Sequence, residues 1–489
     1  MTSFWLKIVM PSNASQPSSS ANSVTDGQST NGLSEISGHR DSIPSVLNKE
    51  WTDFSVVLEM KMGEMAVVTI SCPREEFDGE SGDDGIIKFG DKSIEFIRDE
   101  KQLDGKVQSK KRVVSFTNIR FEPNTVQNGI WSDQNGLFCC RVELGYRDYL
   151  CGIRRFSDLQ AFMANKVPLK SFAHKLSMNG MKIFCAECKA TILEAEDGKK
   201  VDVQASEELD LLEGGVDLSE YAYHSCSSEH KTHNHDENAC DGKQNQNGKG
   251  RDGNVDHKFM APTNKKPILT ETQFWMRYNN KFEKQLLVDK KSMIVSCKSC
   301  VNEIGKIAKG DTNVMKLDLS AAIIEDPLSP KCIIEERFHS LERYFAFLLL
   351  RCSAFDNCLK LMIRTLDKTP YLLVWLIEPI FLFADGKMKE EVEPKKNTKT
   401  KPSKLKKKAM VDSSLIHAYT SLKVLYKVFD NEAEKSNPAA VDRSATFMDL
   451  PQTTCMKFEE VLLRNSARLP AQNRFLGNFM ISFLTVDDE

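Results

Sequence analysis

The sequence has no run of about 18 or more apolar residues, so no transmembrane helix is expected. Its longest apolar stretch, Tyr371 to Phe383, is interrupted by Glu378 and Pro379. The N-terminus carries a short apolar patch, Phe4 to Met10, and then polar sequence. It lacks the hydrophobic core and small-residue cleavage site of a secretory signal. An excess of one charge is also missing. The 66 Lys and Arg residues face 69 Asp and Glu, a formal net charge of −3, which speaks against a general nucleic-acid binder. These absences give the expectation of a cytoplasmic protein with no membrane partner, in which 14 cysteines are not read as a disulfide framework.

What is present is a segmented chain of 489 residues, long enough for several domains. Residues 1–46, rich in Ser, Asn, Gly and Gln from residue 11 on, are expected to be a disordered tail. Over 50–165, short apolar or alternating runs are separated by Gly, Asp and Asn clusters. They are Phe54 to Leu58, Met65 to Ile70, Ile86 to Phe89, Ile94 to Ile97, Val113 to Phe116 and Phe138 to Leu144. This pattern predicts an antiparallel β-rich domain, closed by a short helix at Ser157 to Asn165. A middle region, 178–310, contains a polar insertion at 227–258 whose His230, His233, His235 and His257 are read as a solvated loop.

Ile334, Phe338, Leu341, Phe345 and Leu348 recur at spacings of three and four and predict a helix over 334–352. A hairpin, Leu359 to Ile363 and Tyr371 to Ile377, completes the range 311–386. Residues 387–410 form a Lys-rich linker with a nuclear-import candidate at Lys404 to Lys408, which makes the nucleus a second candidate location. Interleaved aromatics are missing from that tract, so it does not support nucleic-acid binding through base stacking. In the C-terminal region, 411–489, Ser414 to Phe429 and Lys457 to Asn465 are read as helices. The expected fold class is α+β: an N-terminal antiparallel β-rich domain, a metal-stapled middle and a mixed C-terminal region.

The strongest motif is a pair of cysteine arms. Ile183-Phe184-Cys185-Ala186-Glu187-Cys188 recurs in form as Val295-Ser296-Cys297-Lys298-Ser299-Cys300. Met181 and Met293 precede the arms, and Ile192 and Ile304 follow them. Two thiolates three residues apart can grip one tetrahedral metal at about 2.3 Å per bond, and a second such arm completes a structural zinc site. All of residues 189–296 lie between the arms, beyond the usual ribbon spacing. His224-Ser225-Cys226 lies in that interval. It is either an additional ligand source or a surface histidine beside a free thiol.

Cys455 follows Leu450-Pro451-Gln452-Thr453-Thr454 at a helix start. A thiol near a helix N-terminus has its pKa lowered, and a Thr there is a natural cap. Two readings stay open: an activated thiolate, or a buried cysteine packed under the final apolar run, Phe475 to Val486.

The stretch Leu450-Pro451 through Thr454-Cys455 resembles the thioester-forming loop of HECT ubiquitin ligases. More broadly, the chain resembles the HECT-like ubiquitin-protein ligases that bind a ubiquitin-conjugating enzyme. The resemblance rests on the Phe184-Cys185-x-x-Cys188 arm, the Cys297-x-x-Cys300 arm ending in Ile304-Gly305, Ser421-Leu422-Lys423-Val424-Leu425-Tyr426, and the tail through Asn465-Ser466-Ala467-Arg468-Leu469-Pro470. It covers about residues 50–489. It departs from the pattern at Met456-Lys457, after the cysteine, and at Tyr223, where the family carries a cysteine.

The resemblance implies a ubiquitin ligase whose partners are a ubiquitin-conjugating enzyme, ubiquitin and a protein substrate, with a cyclin among the candidate substrates. The region around the second cysteine arm would engage the enzyme, and Cys455 would be the catalytic thioester-forming residue. The alternative is a non-catalytic, zinc-stapled adaptor or scaffold that binds a conjugating enzyme or, since the resemblance also reaches relatives associated with it, a messenger-RNA 3′-end-processing complex.

Overall fold

A computed structural model of the chain describes residues 4–8, 54–61, 63–72, 85–101, 107–132, 136–145, 168–179, 181–194, 201–206, 262–263, 265–279, 282–308, 311–326, 329–356, 358–391, 415–429 and 445–486. Strands dominate and helices are few, a β-rich form of the α+β class.

One strand, Pro370–Lys387, is the spine. Its 18 residues span roughly 59 Å at ~3.3 Å per residue. It pairs with Lys360–Thr365 and Ser55–Lys61 along one edge and Tyr419–Val428 along the other. The resulting sheet contains ten described strands. It runs from Phe475–Leu476 and Phe479–Thr485 through Tyr419–Val428, the spine, Ser55–Lys61, Ala66–Ser71 and Leu137–Leu144 to Phe121–Ser132, with Thr446–Leu450 beside Lys360–Thr365. Strands from the ranges 50–165, 311–386 and 411–489 therefore share one sheet. The spine extends past the expected end at Ile377, straight through Pro379. Proline cannot donate a ladder hydrogen bond, and the register shifts between Leu376 and Phe381 accommodate it.

The same face of this sheet serves two cores. At one end Val56, Leu58, Val68, Ile70, Cys140, Val142, Leu382 and Ala384 pack against Ile87, Phe89, Ile94, Phe96, Val114 and Phe116. The latter come from a six-stranded sheet of Phe4–Ile8, Gly85–Phe89, Ser93–Lys101, Val107–Phe116, Lys389–Glu390 and Leu415–Ile416. At the other end Leu361, Ile363, Leu372, Val374, Leu422, Val424 and Tyr426 pack under helices. Of the four described α-helices, α1 (Leu169–Asn179) and α2 (Ile333–Phe338) lie against the strand Ala322–Asp326, whereas α3 (Leu341–Asp356) and α4 (Gln452–Ser466) lie against this sheet; all four share the same core. Two further sheets carry the cysteine arms. One, with four described strands, includes Lys182–Cys185 and Ala322–Asp326; the other, with seven, includes Ile294–Cys297 and Glu303–Ala308.

Every run expected as a strand over 50–165 is one, and the hairpin after the central helix forms as expected. Four expectations are corrected. Phe4–Ile8, placed within the disordered tail, pairs with Gly85–Phe89. The helix expected over 334–352 is two, broken at His339 with φ 60°; Ser340 then caps α3 through its hydroxyl, which accepts from the Arg343 N–H at 3.2 Å.

The helix expected over Ser414–Phe429 is the strand Tyr419–Val428. It lies between two other strands and is buried on both faces, and such a continuous apolar run does not distinguish the two periods. Finally, α4 begins at Gln452 rather than Lys457, with Pro451 as N-cap and no side-chain cap bond. Thr453 and Thr454 lie inside the helix. Ser157 to Asn165, the 227–258 insertion and Lys404 to Lys408 lie outside the described residues.

Where the second cysteine arm joins its sheet, Gly305 faces Leu317. A Cβ on Gly305 would lie 2.0 Å from the Lys316 carbonyl oxygen, a backbone atom. Gly305→Ala is therefore expected to destabilise the protein by ~1–3 kcal/mol, the usual cost of overpacking. Urea denaturation of the metal-loaded protein checks this; an unchanged midpoint would mean the strands can separate at no cost.

Candidate metal centre and the helix docked on it

Each cysteine arm is a β-hairpin whose turn is built the same way. In the first, the Cys185 N–H donates to the Ala190 carbonyl at 2.9 Å and the Lys189 N–H to the Cys185 carbonyl at 3.0 Å. In the second, the Cys297 N–H donates to Asn302 at 2.8 Å and the Val301 N–H to Cys297 at 2.8 Å. The residue after each second cysteine, Lys189 or Val301, adopts positive φ, 59° and 63°. The repeat noticed in sequence is thus a repeat of backbone conformation.

The flanking strands bring the two turns together. Lys182–Cys185 pairs with Ala322–Asp326, with Ala322 opposite Cys185, and Ile294–Cys297 pairs with Leu286–Val288, with Leu286 opposite Cys297. Cys185 and Cys300 are 3.6 Å apart at sulfur, as are Cys188 and Cys297. All four sulfurs lie within 4.8 Å of one another. A tetrahedral ion with bonds of about 2.3 Å to sulfur sets its ligands roughly 3.8 Å apart. The four cysteines can therefore hold a metal ion, and an all-thiol donor set suits zinc.

Cys185 and Cys297 are buried, Cys300 is intermediate and Cys188 exposed. Burial pushes the Cys185 thiol up to about 12. A hydrogen bond from the Ala190 backbone draws the Cys188 thiol below its ordinary value. Metal binding requires thiolates and so displaces these protons, and affinity falls as pH falls. Purified protein is expected to carry one zinc per chain and to release it on acidification. Cys185→Ser should abolish retention and lower the urea midpoint. A zinc-specific dye and elemental analysis read the first effect; a metal-free wild type with unchanged stability would remove the structural role.

Cys455 is elsewhere in the fold and is fully buried, at 0% exposure. Its thiol lies 3.8 Å from the Arg364 carbonyl and 3.7 Å from that of Leu450. Burial pushes its pKa well above the usual thiol value, and the negative charges of Asp318, Glu303 and Asp449 add to that. Of the two readings left open by the sequence, this environment is that of the buried cysteine: loss of hydration opposes the lowering that a helix N-terminus would give. Its cover includes part of the expected run, Leu484 and Val486, but not Phe475 or Phe479. Cys455 shares the core of Phe345, Leu450, Phe458 and Leu462. Phe475 is 44% exposed, and Phe479 packs with Met362, Leu373 and Phe429 in a separate cluster.

The start of α4 is fastened to both cysteine hairpins. Glu187, between Cys185 and Cys188, pairs with Lys457. Glu303, three residues past Cys300, accepts the Gln452 N–H at 3.1 Å. The Ala186 N–H donates to Ala321 at 2.9 Å, and in that same turn the Ser320 hydroxyl meets the Thr454 hydroxyl at 2.6 Å while bonding Asp318. Sequence reading missed Glu187, Glu303, Asp318 and Ser320, and no local pattern marks them. It also missed Val301, a β-branched residue in a left-handed conformation and 66% exposed. His224 and Cys226 lie outside the described residues.

Comparison with known proteins adds family information. The family model described as HECT-like ubiquitin-conjugating enzyme (E2)-binding matches residues 223–481, slightly more than half of the chain. That span includes Cys297, Cys300 and Cys455; Cys185 and Cys188 precede it. An E3 ubiquitin-protein ligase from Bos taurus is 26% identical over 192 residues, covering 39% of this chain and 46% of the relative. The protein of the same name from Mus musculus is 26% identical over 196 residues, covering 39% and 49%. The chain thus spans about half the length of the curated relatives it matches. No solved structure matches it.

Proposed function

The chain belongs to the HECT-like ubiquitin-conjugating enzyme (E2)-binding family, and from that premise we propose that it holds a ubiquitin-conjugating enzyme and promotes ubiquitin transfer while the thioester stays on that enzyme. A lysine amine of the substrate, or of this chain, then attacks the enzyme-bound thioester directly; an amide forms and the enzyme's thiol leaves. The observation that carries this reading is the burial of Cys455 at 0% exposure with a raised pKa. A thioester-forming cysteine must be exposed and deprotonated to attack, and Cys455 is buried in surroundings that disfavour the thiolate. The name of the curated relatives, E3 ubiquitin-protein ligase, supports a ligase outcome. The burial supports the adaptor route to it.

The second cysteine hairpin is the proposed docking point. Val301 holds positive φ at 63°, a conformation unfavourable for a β-branched residue and of the kind found at functional sites. It nevertheless presents its side chain to solvent. On the adjoining edge strand Leu286–Val288, Leu287 is 41% exposed. Exposed apolar side chains on a metal-braced turn make a rigid anchor.

Two measurements test the proposal. Charged conjugating enzyme is incubated with wild type and with Cys455→Ala, then resolved with and without reductant. On this chain and its substrates, ubiquitin is expected in amide linkage only, at equal rates for both proteins, the reductant-sensitive form being confined to the conjugating enzyme. A reductant-sensitive adduct on the wild type that disappears in Cys455→Ala would instead establish the covalent HECT-type route. Separately, Val301→Asp and Val301→Gly are expected to weaken conjugating-enzyme binding at least tenfold, about 1.4 kcal/mol, with zinc content unchanged. Wild-type affinity in both variants would move the docking site elsewhere.

A further inference from the structure

We propose that the four-cysteine centre is a latch for α4: with metal bound it keeps the helix start seated over Cys455, and metal loss uncovers that thiol. The inference is independent of the conjugating-enzyme reading, because it concerns only what holds Cys455 closed.

The geometry is specific. The first six residues of α4 are held at three points, and each leads back to a cysteine hairpin. Lys457 is held by Glu187 of the first hairpin. Thr454 is held by Ser320 at 2.6 Å. Ser320 stands in the turn whose Ala321 carbonyl accepts from Ala186, also of the first hairpin. Gln452 is held by Glu303 of the second hairpin at 3.1 Å. Cys455 lies within this stretch, and its immediate neighbour Thr454 is 1% exposed.

Singly these contacts are weak. The Glu187–Lys457 pair is about a third exposed on each side, and such pairs contribute little. They act together only while the two hairpins keep a fixed relation. The hairpins come from distant parts of the chain, with Cys185 and Cys300 separated by 115 positions, and the metal is the bond that joins them directly. Beyond the latch, the deeper half of α4 is packed independently: Phe458 stacks on Phe345 with ring centroids 4.1 Å apart, and Asn465 bonds Phe483 and Glu342. Metal loss should therefore free the first turns of α4 and leave the rest of the helix in place.

The test is thiol accessibility in the full chain. Zinc-loaded and chelator-stripped proteins receive a short pulse of N-ethylmaleimide, and labelling is quantified peptide by peptide. In the loaded protein Cys455 is expected to stay unlabelled. After stripping, Cys185, Cys188, Cys297 and Cys300 should label, reporting metal loss, and Cys455 should label at least tenfold faster than before. Cys72 and Cys140, each 2% exposed in the opposite core, should stay protected. Cys455 remaining closed while the four ligands label overturns the latch; so does labelling of Cys72 and Cys140 in step with Cys455, which is global unfolding.

A metal-loaded Glu187→Ala, Glu303→Ala double variant separates the latch from metal-dependent folding. It should retain its zinc and raise Cys455 labelling several-fold. Pairing Glu187→Lys with Lys457→Glu, in a chain that keeps Glu303, should leave Cys455 as protected as in the wild type. Wild-type protection of Cys455 in the zinc-loaded double variant overturns the proposal.

Discussion

Four sulfur atoms within 4.8 Å of one another, drawn from hairpins more than a hundred positions apart, are the constraint on which the functional half of the molecule depends. Closing so long a loop costs chain entropy, and a metal–thiolate bond set is strong enough to offset it. Once closed, the loop fixes the sheet bearing Ile294–Cys297 relative to the sheet bearing Lys182–Cys185. The hydrogen bonds of Glu303, Ser320 and Glu187 then have defined positions from which to hold α4. The four cysteines, the start of α4 and the buried Cys455 are thus linked by direct contacts, on the face of the ten-stranded sheet opposite Phe381 and Phe383.

The same organisation sets how the family function can be carried out. Ubiquitin transfer needs an activated carbonyl and an approaching amine, and a nucleophilic cysteine in the ligase is one of two ways to arrange them. Here the cysteine at the family-like position is enclosed by Leu450, Phe458 and the Arg364 backbone, and its environment favours the protonated form. The tip of the second cysteine hairpin is exposed, and there Val301 stands in a conformation its side chain does not favour. These features are what the proposed scaffold role rests on.

Much of the fold was legible because its strands are short, alternating and separated by turn residues. Val56, Leu58, Val68 and Ile70 fall on one face at period two, and that face is the core. The hairpin around Asp367 was legible for the same reason. Legibility failed where burial is two-sided. The strand Tyr419–Val428 sits inside the sheet, so its apolar residues follow neither period cleanly. It failed again at His339, where a single left-handed residue divides one amphipathic pattern into two helices.

Local sequence was enough to single out the four cysteines that the fold brings together, since C-x-x-C spacing is a property of a single turn and its repetition in the second hairpin requires nothing distant. It was enough, too, to show that Cys455 lies near the start of a helix that follows a proline. What kind of cysteine it is emerged only from the folded chain. A helix N-terminus lowers a thiol pKa and burial raises it, and which dominates depends on the side chains of residues 303, 318 and 345 and the backbone of residue 364 brought in around it. Likewise Glu187 and Glu303 are ordinary hairpin residues until a helix over a hundred residues downstream comes to rest on them. Spacing is written along the chain, whereas solvation and long-range contact exist only once the chain has folded.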